Sequence, residues 1–138
     1  MMSNVELRNL ADLVAIRTVL DEYCLRLEID SFDEWLDLFT PDTEYEVFRR
    51  TLRGRDELSA MLSQAPHGLH LGGAARIELD GNTAQTVQNY AFLGDDEATS
   101  NAGWYYRTLV RTDAGWRISR TRVKIQKRNP VGRKLPPE

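Results

Sequence analysis

Residues 69–93, LHLGGAARIELDGNTAQTVQNYAFL, decide how this chain folds. Two runs rich in β-branched and aromatic residues, Leu69–Leu79 and Thr83–Leu93, flank Asp80-Gly81, a tight hairpin signal. Downstream, Gly103–Thr112 and Trp116–Gln126 repeat the pattern around Asp113-Ala114-Gly115, and the polar stretch GDDEATSN, residues 94–101, joins the two pairs. Four strands in hairpin succession are therefore expected over the C-terminal half.

Upstream of Pro66 the periodicity is helical. Leu7, Leu10, Leu13, Ile16, Leu20, Tyr23, Cys24 and Leu27 recur every three or four residues and draw one apolar stripe from Ser3 to about residue 29. Ser3 and Glu6 form a capping box at its start, and Ser31 with Glu34 repeats the pattern before a short helix carrying Phe32, Trp35, Leu36 and Phe39, ended by Pro41. TEYEVF, residues 43–48, alternates like a strand, RRTLRG turns the chain, and Asp56 is placed to cap a third helix to about Ser63. Helices first and antiparallel strands last predict an α+β domain with helices on one face of a curved sheet. The stripe and strand phases predict a core that includes Leu10, Leu13, Leu20, Leu27, Trp35, Phe39, Ile77, Val87, Tyr90, Val110 and Val123. One domain is expected over residues 1–128, followed by a basic, proline-containing tail at 129–138.

Composition narrows the function. At 138 residues, 41% hydrophobic and 28% charged, the chain has a globular balance. Its single cysteine, Cys24, excludes an internal disulfide framework and a cysteine-based metal cluster. No phosphate-binding glycine loop, G-x-S-x-G elbow or H-E-x-x-H helix is present, and no apolar run reaches the roughly 18 residues of a membrane span. A cytoplasmic location is expected, with no membrane partner. Ten basic residues follow from Arg107 onward, whereas twelve acids lie within residues 1–46, but the net charge of −3 and the lack of a binding motif argue against nucleic acid.

The chain has only two histidines, His67 and His70. A histidine held by a carboxylate is the usual general base near neutral pH. At about 100° per residue, Glu28 falls about 80° from Leu20, on the border of the apolar stripe, where its carboxylate reaches a sheet covered by that helix. Asp30 takes the other border if the helix extends that far. Regular alternation turns His70 away from the core, with Gly72, Ala74 and Arg76. A bulge at Gly72-Gly73 would swap the faces and bring His70 in beside Ile77 and Leu79. Trp104 and Tyr106, in the run Trp104-Tyr105-Tyr106, are either core or the wall of a pocket for a flat organic ligand, and Tyr23, Trp35 and Tyr90 are further candidates for that wall. A slip of apolar phase between Trp116, Ile118 and Val123, Ile125 would turn Arg117 inward to hold an anion. Apolar residues on both faces of the last two strands predict a homodimer or homotrimer built on the outer face.

Taken together, the segments resemble the SnoaL-like branch of the nuclear transport factor 2-like superfamily over roughly residues 5–126. The carrying stretches are the first helix with Tyr23 and Glu28, FDEWLDLFTPDTEYEV, the GRDEL helix start, HLGGAARIELDGNTA from His70 and DAGWRI from Asp113. The resemblance implies a cystatin-like cone, a strongly curved antiparallel sheet wrapped around the N-terminal helices and enclosing a pocket. It also implies a cofactor-independent lyase or isomerase, like scytalone dehydratase or hexachlorocyclohexane dehydrochlorinase, acting on a small hydrophobic or aromatic molecule. In that reading His70 is the base, Glu28 its acid partner (usually an aspartate, one methylene shorter) and Arg117 a substrate-binding arginine. The alternatives are a structural role like that of the small, β subunit of aromatic-ring-hydroxylating dioxygenases, or a non-catalytic binder of a small ligand.

Overall fold

The structure, a computed structural model, describes residues 1–28 and 32–130, apart from the side chains of Glu28 and Phe32. The elements run α1 Asn4–Glu28, α2 Phe32–Leu36, β1 Phe39–Val47, β2 Arg50–Arg53, α3 Gly54–Leu62, β3 Gly68–Asp80, β4 Thr83–Gly94, a 3-10 turn at Glu97–Thr99, β5 Asn101–Thr112 and β6 Gly115–Arg128. The Ser3–Glu6 capping box forms as expected: Glu6 donates its backbone N–H to Ser3 Oγ at 3.1 Å, and Ser3 donates to Glu6 Oε2 at 3.2 Å. The second capping box and Asp30 involve residues outside those described, as does the tail from residue 131. Among the described residues no helix is long and apolar enough to cross a membrane.

The expected cone is not what the chain builds. The six strands form one sheet in the order β2-β1-β6-β5-β4-β3, with β2 and β3 at opposite edges and unpaired with each other, so the sheet is open. It is also mixed rather than antiparallel, because β1 lies parallel to β6. Hairpin signals fix only the pairing of strands adjacent in sequence. The β1–β6 pairing closes a loop of more than seventy residues (Glu44 opposite Arg120), and no alternation pattern encodes it or the curl of the sheet.

α1, α2 and α3 lie on one face. Ile16, Leu20 and Tyr23 of α1, Trp35 of α2 and Leu58 of α3 join Phe39, Leu109 and Ile118 in one buried cluster. Asp12 ties the first half of α1 to the sheet, receiving Arg111 Nη1 and Nη2 at 2.9 and 2.5 Å and Trp116 Nε1 at 3.3 Å. Every residue of α1 before Asp12 is exposed, Leu10 by 48% against expectation. Val87 and Val110 are half-buried on the outer face, opposite in phase to the buried Ala84, Thr86 and Leu109.

Three local readings are corrected. Pro41 does not end a helix but sits inside β1, where the pairing with β6 is irregular between Phe39 and Glu44 and its missing N–H costs no ladder bond. Residues 50–53 of the supposed turn form β2, after a two-residue hairpin whose Phe48 and Arg49 have φ of 50° and 61°. Residue Arg53, not Asp56, precedes the first turn of α3.

Of the two alternatives at Gly72-Gly73, the bulge is the one present. Gly72 pairs with Tyr90 and Ala75 with Gln88, so β3 carries one extra residue at Gly72–Ala75. Leu69 and Leu71 are consequently exposed, at 53% and 50%, whereas His70 faces inward with Ile77 and Leu79.

Candidate active site

On the helical side of the sheet lies a cavity of about 320 Å³, bounded by His70 and Phe92, by Tyr23 of α1, and by Tyr45, Tyr90 and Tyr105 of three strands. The bulge brings His70 there. In register it faces Phe92, with ring centroids 4.7 Å apart, and burial pushes its pKa down from 6.5 to about 4. The imidazole is therefore neutral near pH 7.

The four phenols are organised in pairs. The hydroxyls of Tyr23 and Tyr45 share a hydrogen bond of 2.5 Å, and burial holds both well above the ordinary tyrosine value. Tyr90 stacks on Tyr105 with centroids 4.3 Å apart and donates its hydroxyl to Asn101 Oδ1 at 2.5 Å; burial pushes Tyr90 up to about 12. Trp35 is fully buried behind this wall, with its ring centroid 5.3 Å from that of Tyr23, and supports the site without lining it.

Beneath the tyrosines lies Arg107, which the sequence reading did not single out. It is 1% exposed, and its guanidinium carbon lies 4.0 Å and 4.1 Å from the ring centroids of Tyr23 and Tyr105. Nη1 donates to Gln88 Oε1 at 2.9 Å, while Nε and Nη2 have no hydrogen-bond partner among the described residues. The amide of Gln88 in turn donates to the carbonyl of Gly73 at 3.1 Å, within the bulge.

Of the residues expected at the site, His70, Tyr23 and Tyr90 meet at the cavity. Glu28 closes the last turn of α1, and its side chain lies outside the described residues. Trp104, Tyr106 and Arg117 do not reach the cavity. Trp104 and Tyr106 line an open depression on the outer face with Ala74, Ala75 and Val87. Arg117 stays opposite in phase to the buried Trp116 and Ile118, donating to the carbonyl of Trp116 at 2.8 Å. The expected slip in β6 is real, but it falls between Ile118 and Arg120, too late to reverse Arg117. In β5 either set of alternating residues contains aromatics, so periodicity cannot choose the inner face; pairing with β4 does, placing Arg107 opposite Thr86. The alternation Ala84, Thr86, Gln88, Tyr90, Phe92 was the available signal, since it fixes the inner face of the neighbouring strand. Among the described residues, no three His, Cys, Asp or Glu side chains are grouped to hold a metal ion.

Comparison with known proteins defines the class. The SnoaL-like domain matches residues 8–122, and the chain belongs to that family. Its architecture is shared with Rv3472 of Mycobacterium tuberculosis, a protein of unknown function solved as a variant, at 23% identity and TM-score 0.80 over 91% of this chain and 78% of that one. An NTF2-like protein with a cystatin-like fold from Novosphingobium aromaticivorans matches at 25% identity and TM-score 0.76, covering 86% and 84% of the two chains. The hexachlorocyclohexane dehydrochlorinase LinA-type3 from Novosphingobium barchaimii matches at 18% identity and TM-score 0.78, covering 95% and 99%. No curated protein matches the chain in sequence.

Proposed function

We propose that this protein is a lyase or isomerase that works without a cofactor on a small hydrophobic or aromatic compound, with His70 removing a proton from the bound molecule. The observation that carries the reading is the β3 bulge, which turns the imidazole into an aromatic cavity instead of toward solvent. A proton passing to an imidazole from carbon beside a carbonyl requires neither metal nor redox group. Glu28 is the proposed partner that steadies the imidazolium, and the phenols around the cavity would donate to the oxygen on which charge develops. The likeness to a dehydrochlorinase supports an elimination.

The test is hydrogen exchange. A panel of small enolisable aryl ketones incubated in D₂O and followed by NMR should exchange the C–H next to the carbonyl. His70→Ala should slow exchange by about 10²–10⁴-fold while retaining the fold, and Glu28→Gln should remove much of the same acceleration without adding to it. Exchange that survives His70→Ala unchanged would refute the assignment.

We further propose that two or three copies associate through the outer face, where Trp104 and Tyr106 are uncovered by any helix among the described residues. Sedimentation as a monomer at micromolar concentration would refute it.

A further inference from the structure

A buried guanidinium is a fixed charge, since arginine does not lose its proton in a protein, and buried charges are ordinarily paired. Among the described residues Arg107 has no carboxylate partner: none of the ion pairs includes it, and two of its nitrogens have no acceptor. What surrounds it is an aromatic cleft: the rings of Tyr23 and Tyr105 on its faces and the neutral amide of Gln88 at one edge. Both rings also bound the cavity, and Tyr90 stacks on the face of Tyr105 turned away from Arg107, because two groups about 4 Å above one ring cannot share a side. The positive charge thus lies against the rings of Tyr23 and Tyr105, two residues that bound the cavity, in surroundings where screening by water is weak.

Resting on the reading of this cavity as the substrate site, we propose that it selects weakly acidic planar compounds, phenols and enols, and binds them as their anions, with Arg107 supplying the counter-charge. The ligand's O–H proton passes to the buffer on binding, and the oxyanion left behind faces the tyrosine wall. An apolar cavity alone would do the opposite and favour the neutral form. The same charge stabilises the oxyanion that forms when His70 takes a proton beside a carbonyl.

The experiment uses para-nitrophenol, whose anion is yellow, with the full-length protein at a pH equal to the phenol's own pKa. Binding should increase the phenolate band, lowering the bound phenol's pKa by about one unit or more, a tenfold preference. para-Nitroanisole, of similar shape but unable to ionise, should bind at least tenfold more weakly. Arg107→Met replaces the charge with an apolar chain of similar length; its circular dichroism should be unchanged and the growth of the phenolate band lost. A fall of the phenolate band, equal affinity for the anisole, no binding of the phenol, or a folded Arg107→Met protein that still enriches the phenolate would each overturn the proposal. If the variant does not fold, the phenol–anisole comparison on the unaltered protein decides alone. The phenolate titration involves no proton transfer from carbon, so failure here is distinct from failure of the proton-transfer assay.

Discussion

The side-chain amide of Gln88 donates to the carbonyl of Gly73 at 3.1 Å, tying the inner face of β4 to the bulge that sets the direction of His70. The same amide's oxygen receives Arg107 Nη1, so one neutral side chain serves two buried groups. Gln88→Leu should therefore lower stability by about 2–3 kcal/mol, the cost of leaving buried polar groups unpaired. Chemical denaturation would measure it. A loss well under 1 kcal/mol would mean the bulge is held by other contacts.

The depressed pKa of His70 makes a signed prediction. The group binds its proton near pH 6.5 in the unfolded chain but only near pH 4 when folded, so protonation favours unfolding. Its contribution is intact above pH 6.5 and falls away as the pH drops from 6.5 toward about 4. His70→Phe should flatten the stability profile over that window relative to the unaltered protein, as read by thermal midpoints at stepped pH. The acid limb of any His70-dependent rate should likewise lie well below the ordinary imidazole range.

Asp12 is expected to matter at the opposite end of α1. Its hydrogen bonds from Arg111, and then from Trp116, hold the carboxyl below its ordinary 3.8, so the stabilisation is present above that value and is lost as the pH falls through the folded pKa. Asp12→Asn should reduce the thermal midpoint at neutral pH, and the gap from the unaltered protein should narrow in acid below about pH 4. A gap independent of pH would show that shape, not charge, anchors the helix.

Two backbone positions should respond in opposite directions. A Cβ at Gly103 would stand 1.9 Å from the carbonyl oxygen of Lys124, which cannot move without parting β5 from β6, so Gly103→Ala should cost about 3 kcal/mol or more. Arg49 holds a φ of 61° in the β1–β2 turn, where a non-glycine residue loses roughly 1–2 kcal/mol. Arg49→Gly should accordingly raise stability, though by less than this because glycine makes the unfolded chain more flexible. Urea midpoints would rank the two.

The sequence by itself determined what depends on neighbours along the chain. The Ser3–Glu6 cap and the two hairpins follow from residues a few positions apart, because caps and tight turns are local geometries, whereas Gly72-Gly73 only allowed the bulge that turns His70 inward. Only the tertiary structure decided the rest. The parallel pairing of β1 with β6 and the open edges at β2 and β3 depend on contacts between distant segments, which alternation does not encode. The inner face of β5 depends on its register against β4, and that register sent Trp104 and Tyr106 outward and buried Arg107 beneath the tyrosines. A strand with apolar residues in both phases has two nearly equivalent orientations, and its partners choose between them.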